Sequence, residues 1–309
     1  MDFDLAQLRA LSAAVTEGTF EAAARTLRVT PSAVSQRIKA LESSVGSVLV
    51  QRTKPVRVTE SGQAVLRLAR QVGVLAADAE RELHGGADSG ERPVDVPIAV
   101  NADSLATWIL PALAGLPRGI GFDIRLDDQD HTTALLRSGT VMAAVTAVAT
   151  PIQGCTSSLL GTMRYRARCT RAFADEWFAG GATPAALGAA PVVVFDRKDD
   201  LQDAYLRSRD APSPPRHYVP SSTDFVRAVT LGLGWGMIPD LQRAPGDDLV
   251  ELDDSPGTTM DVPLYWQQWQ LRSPTLDAVA AAVRDAADEH LRGDGRRRGG
   301  AASPTLDRS

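Results

Sequence analysis

The chain has 309 residues, of which 44% are hydrophobic, and a formal net charge of −5. That length exceeds one ordinary domain of roughly 100–200 residues, so two or three packed units are expected. An acidic chain does not coat nucleic acid over its whole surface. No apolar run reaches the ~18 residues that span a bilayer, and the acidic, amphipathic start is no secretory signal, so a cytoplasmic protein without a membrane partner is expected.

Leu5, Leu8, Leu11 and Val15 share one face of a first helix, which Gly18 and Thr19 break. A short helix follows with Phe20, Ala23, Ala24 and Leu27 inward. Val29–Ser32 is a turn into a third helix, with Pro31 in its first turn, Val34, Ile38, Leu41 and Val45 on its buried face, and Gly46 as its C-terminal stop. The runs 48–50 and 56–58 flank a basic turn and predict a small hairpin, a wing. A long helix is expected from Thr59 to about His84, stopped by Gly85 and Gly86. Its residues Val65, Leu68, Val72, Leu75 and Ala79 follow the spacing of a coiled-coil seam and suggest a homodimer; packing against the helix's own domain is the alternative.

Residues 87–93 read as a hinge. Beyond it strands alternate with helices, which predicts an α/β architecture with parallel sheets. Strands are expected at 94–100, 122–126, 141–145, 192–195, 236–238 and 264–268. Helices are expected at 105–116, 132–137, 201–207, 225–231 and 276–290. From Gly293 onward the Gly/Arg/Ser/Pro-rich composition predicts a disordered tail. Cys155 and Cys169 form no CxxC and are expected as reduced thiols.

Between Phe20 and Val58 seven basic residues (Arg25, Arg28, Arg37, Lys39, Arg52, Lys54, Arg57) stand against Glu21 and Glu42. A local basic face on an acidic chain suits a modular DNA binder. The third helix must carry core residues on one side and polar groups on the other to enter the major groove. Thr30, Pro31, Ser32, Ser35, Gln36, Arg37 and Lys39 form the expected reading segment, and Arg52, Lys54 and Arg57 on the wing would meet flanking phosphates or the minor groove of double-stranded operator DNA. The bland alternative is a solvated polar face.

Phe20–Ala24, Thr30–Glu42, Gly46, Leu49 with Gln51–Arg52, and Val58–Gly62 resemble the LysR-type regulators, densely over the first 85 residues. The resemblance implies a homodimer or homotetramer on an interrupted palindrome, with RNA polymerase kept as a further candidate partner. It implies a winged helix-turn-helix over 1–58, a linker helix over 59–86 and a hinge over 87–92. It also implies two Rossmann-like subdomains resembling a type 2 periplasmic binding protein, the first from 93–162 and 266–292, the second from 163–265, with 293–309 as tail. Asn101–Trp108, Ile109–Leu113, Ala190–Asp196, Val219–Val226, Gly236–Pro239 and Leu264–Trp266 resemble the branch that regulates lysine and arginine exporters. The arginine-rich tail and His131 depart from that pattern.

Ligands of open α/β sheets bind beyond the carboxyl ends of strands. The expected effector set is Asp103, Ser104, Trp108, Asp128, Thr146, Asp196, Ser221, Ser222 and Asp224. Ser104 would hold an α-carboxylate, the aspartates a cationic group, and Trp108 an aliphatic stem. Helix capping competes as the role of Asp103, Ser104, Ser221 and Asp224, surface exposure as that of Asp128, and core packing as that of Trp108. The acidic inventory favours L-lysine or L-arginine as effector, with no cofactor. Scattered histidines and the lack of GxSxG, P-loop or GxGxxG patterns argue against an enzyme. A regulator of another metabolite and an effector-independent architectural DNA-binding protein are the competing readings.

Overall fold

Capping residues set where the N-terminal helices start and stop. The computed structural model describes residues 3–83, 94–126, 129–252 and 259–293. Helices α1 (Leu5–Thr16), α2 (Phe20–Leu27) and α3 (Pro31–Val45) come first. Thr19 accepts from the Ala22 amide at 3.1 Å and Thr30 from the Ala33 amide at 3.2 Å. Each satisfies a donor that a helix start leaves without an intrahelical partner. Gly46, at φ 72° and ψ 20°, ends α3 in the left-handed region, where a Cβ would be strained.

Val34, Ile38 and Leu41 of α3 are buried in one core with Leu8, Leu11, Ala23 and Ala24. Strands β1 (Val50–Gln51) and β2 (Arg57–Val58) pair antiparallel and form a wing shorter than the two runs expected. Glu42 holds its root: one carboxylate oxygen accepts from the amides of Leu49 (2.9 Å) and Val50 (3.4 Å). Helix α4 (Glu60–Leu83) opens on Thr59, whose hydroxyl accepts from the Gly62 amide at 3.0 Å and donates to the Val48 carbonyl at 2.7 Å.

There follow β3 (Val94–Val100), α5 (Ala102–Ser104), a π-helical turn (Leu105–Ile109), α6 (Leu110–Ala114), β4 (Ile120–Leu126), α7 (Gln129–Arg137), β5 (Ala143–Thr146) and β6 (Cys155–Thr170). Next are α8 (Arg171–Trp177), α9 (Pro184–Ala189), β7 (Val192–Val194), α10 (Leu201–Arg207), β8 (Arg216–Tyr218), α11 (Ser222–Thr230) and β9 (Gly236–Pro239). A 3-10 turn (Asp240–Gln242), β10 (Leu249–Glu251), β11 (Thr259–Trp269) and α12 (Pro274–His290) complete the chain. Two compact units result: Met1–Asn101, Leu113–Ser158 and Trp266–Ala282 form one; Ala102–Ala112, Leu159–Tyr265 and Val283–Ser309 form the other.

In the first unit β3 runs parallel to β4, with Val94 opposite Ile120, and to β5, with Ile98 opposite Ala143. The winged helix, α4 and this α/β half belong to one unit rather than to separate ones. The reason lies in α4, which divides its buried residues between two cores. Val65, Leu66 and Ala69 join the winged-helix core, whereas Val74 joins Ala99, Leu136, Met142 and Trp269. Of the residues expected in a seam, Val65 is 6% exposed inside its own domain and Val72 leans on the same core. Leu68 is half-buried, and Leu75 and Ala79 are exposed.

In the second unit β7 and β8 are parallel, but β9 and β10 run antiparallel to β6, with Gly236 and Glu251 both opposite Arg168. The expectation of parallel sheets alone is corrected here. No element is among those expected over 155–170, although Met163, Tyr165, Ala167 and Cys169 alternate as buried residues with Arg164 and Arg166, a two-residue period. Arg168 breaks the alternation. It is buried because it ion-pairs with Asp240 at 2.6 Å and reaches Glu251 at 3.4 Å. Both cysteines are buried free thiols, and burial pushes Cys155 up to about 11 and Cys169 to about 12, so neither supplies a thiolate near neutrality. Among the described residues no helix is long and apolar enough to cross a membrane. The expected hinge and tail lie outside the described residues, apart from Gly293.

Candidate DNA interface and effector site

Helix α3 presents Ser32, Gln36 and Lys39 as exposed side chains, with Ser35 and Arg37 half-buried beside them. Thr30 is exposed, but its hydroxyl caps the helix, and Pro31 occupies the first turn. Both fix where α3 begins. On the wing Arg52, Lys54 and Arg57 are all exposed. Arg52 ties wing to helix: its guanidinium lies 5.2 Å from the Phe20 ring centroid and donates to the Ser35 hydroxyl at 3.4 Å. The expected polar and basic residues therefore flank one helix start and one hairpin, the arrangement by which a helix reads base edges while a wing holds phosphates.

Arg57 is free of such a scaffold contact, so it isolates the electrostatic contribution. Arg57→Ala is expected to weaken binding to every duplex and flatten the salt slope by about one unit. Gln36→Ala is expected to relax base preference, by about 1–3 kcal/mol if it pairs bidentately with adenine. Salt titrations on specific and random duplexes measure both, and two variants indistinguishable from wild type would refute the assignment.

The second unit gathers a polar cluster. Asp103 of α5 accepts from the Tyr165 hydroxyl of β6 at 2.7 Å on one oxygen and from the Ser222 hydroxyl of α11 at 2.6 Å on the other. Gln242 of the 3-10 turn donates to the same Ser222 hydroxyl. Burial and the neighbouring Asp103 carboxylate push the Tyr165 hydroxyl well above its usual range, so it keeps its proton and donates. Asp199, after β7, accepts from the amides of Phe195 and Leu201, each at 3.1 Å. Burial chiefly, with smaller contributions from Asp103 and Asp196, raises its pKa. No arginine or lysine among the described residues ion-pairs with Asp103.

Of the expected effector residues, the structure joins Asp103 and Ser222 through a hydrogen bond. Ser221 caps α11, accepting from the Asp224 amide at 3.3 Å, while the Asp224 side chain is exposed. Asp196 is a loop cap: one oxygen accepts from the amides of Lys198 (2.7 Å) and Asp199 (3.0 Å). Trp108 and Ser104 are both 0% exposed, so neither offers a ligand-facing surface in this structure. Thr146 belongs to the first unit, where its hydroxyl accepts from the Val148 amide at 3.2 Å. Asp128 lies outside the described residues. Tyr165, Asp199 and Gln242 join the cluster without being among the expected residues. The alternation of β6 could have flagged Tyr165 as inward-facing; no local signal marks Gln242.

A winged helix-turn-helix joined to an α/β module with a polar cluster defines a DNA-binding transcription regulator with a sensing domain. Residues 5–63 match the model for the bacterial regulatory helix-turn-helix protein of the lysR family, and residues 96–288 match the LysR substrate binding domain. The chain is 45% identical over 297 residues to the HTH-type transcriptional regulator LysG of Mycobacterium tuberculosis, covering 94% of this chain and 96% of that one. It is 42% identical over 296 residues to the lysine export transcriptional regulatory protein LysG of Corynebacterium glutamicum, covering 93% and 98%. The solved full-length LysG of C. glutamicum with bound effector Arg matches with a TM-score of 0.70 at 39% identity, covering 94% of this chain and all of that one. This chain belongs to the LysR family of transcriptional regulators, which are DNA-binding proteins and not enzymes.

Proposed function

We propose that this regulator senses a basic amino acid, L-arginine or L-lysine, and through it controls a promoter such as that of an amino-acid exporter. The observation that carries the reading is the Asp103 carboxylate, held by two neutral hydroxyls and facing no protein cation among the described residues. Hydroxyl donors fix the carboxylate without neutralising it, so its charge stays available for a guanidinium or ammonium group. A relative supports the same class, since the LysG of C. glutamicum carries lysine export in its name and is solved with arginine bound. On this reading Asp103 anchors the cation, Tyr165 and Ser222 hold Asp103, and Asp199 adds negative potential.

The protein would act in the cytoplasm as a homodimer or homotetramer, with RNA polymerase as a further partner. The exposed and half-exposed stripe of Leu68, Val72, Leu75 and Ala79 is the proposed contact between copies. Calorimetry with arginine, lysine, histidine, glutamate and leucine tests the effector class. Arginine or lysine is expected to bind tightest, and preferential binding of glutamate or leucine would overturn the reading.

A further inference from the structure

Within the first unit, one charged side chain stands where the two cores of α4 meet. Arg70 is 7% exposed, between Ala69 of the winged-helix core and Val74 of the α/β core. Its guanidinium donates to the Gly139 carbonyl at 2.7 Å and to the Thr140 carbonyl, both in the turn that leads into β5. Its other terminal nitrogen donates to the Thr16 hydroxyl, at the end of α1, at 3.3 Å. One side chain thus grips the winged helix with one nitrogen and the α/β half with the other.

The surroundings hold the grip in place. Gly139 adopts φ 74°, and a Cβ there would come within 3.0 Å of Arg67 backbone atoms, so the turn lies directly on α4. Two turns further on, Asp78 accepts from the Ser273 hydroxyl at 2.5 Å and from the Thr275 hydroxyl, so the far end of α4 is fixed to the same half. Burial lowers the Arg70 pKa to about 10, which leaves it charged near neutrality. A buried cation held by carbonyls and a hydroxyl, rather than by a carboxylate, is a poor way to gain stability compared with an apolar residue. Its fixed fork of donors is a good way to set the geometry between the groups it joins.

We infer that Arg70 is a positioning residue that couples the winged helix to the α/β half, so that the two unfold and respond as one body. The tryptophans provide a natural readout. All five lie outside the winged helix; Trp266 and Trp269 belong to the first unit, Trp108, Trp177 and Trp235 to the second, and Trp269 packs in the core that receives Val74, so its signal reports the half that Arg70 grips. A ligand that binds only the folded winged helix raises the melting midpoint of whatever unfolds with it.

The experiment melts the full-length chain with and without a random-sequence 30-base-pair duplex at low salt, followed by tryptophan fluorescence and by far-ultraviolet circular dichroism. In wild type the duplex is expected to raise both midpoints together, by about 3 °C or more at saturating duplex. In R70Q the duplex is expected to raise the circular-dichroism midpoint of the winged helix while the tryptophan midpoint stays within about 1 °C. R70K, with a charge but no fork, is expected to fall between. An R70Q tryptophan midpoint that shifts as far as wild type overturns the inference, even if the variant is less stable throughout. T16V removes only the bond to α1 of the winged helix and is expected to diminish the shift. Should R70Q fail to fold, T16V decides alone, and an undiminished shift in it is equally fatal.

Discussion

Replacing Gly62 by alanine is expected to destabilise the winged helix by about 2 kcal/mol and to weaken DNA binding with it. A Cβ at this position would lie 2.0 Å from the Leu49 carbonyl oxygen and 2.9 Å from its carbon. These are backbone atoms, so no rotamer change relieves the clash. Nor can the wing root retreat. Thr59 donates its amide to the same Leu49 carbonyl at 3.0 Å and its hydroxyl to Val48, and Glu42 holds the amides of Leu49 and Val50. Overpacking at such a site costs about 3 kcal/mol, at the upper end of its usual range, whereas the better helix propensity of alanine returns only about 1 kcal/mol. The clash therefore wins. Chemical denaturation followed by circular dichroism measures the difference, and a variant as stable as wild type would show that α4 can slide away from the wing.

Asp103→Asn is expected to lower arginine affinity about 30-fold while leaving effector-free DNA binding unchanged. An asparagine keeps the shape and can turn its one acceptor oxygen to the Tyr165 hydroxyl and its amide nitrogen to the Ser222 hydroxyl, which can rotate to accept, so the cluster loses chiefly its charge. A hydrogen bond to a charged group contributes about 1.5–3 kcal/mol, and because Asp103 is only half-buried a value near 2 is appropriate. At 1.4 kcal/mol per decade that is about 30-fold. Calorimetry reads it directly. Arginine affinity within a factor of about three of wild type would remove Asp103 from the role of cation anchor. Asp199 would then be the next carboxylate to test, since it too is half-buried and interacts electrostatically with Asp103.

The alternation of strands with helices, the capping residues and the basic polar segment belong to the sequence itself. Thr30, Pro31 and Gly46 fix α3 through bonds and backbone preferences that span at most four residues, so their effect is legible without a fold. The same holds for the 3.6-residue periodicity that turns Val34, Ile38 and Leu41 inward. Three kinds of fact needed the tertiary structure. Periodicity places Val65 on an apolar face, but only the packed fold decides that this face is used by its own domain. An aspartate at a strand end reads alike whether it binds a ligand or caps its own loop, and Asp196 does the second. The cluster and the grip of Arg70 join residues far apart in the chain: Asp103 meets Ser222 across 119 positions, and Arg70 meets Gly139 across 69. Such pairs are set by how whole elements pack, and neither periodicity nor capping carries that information over those distances.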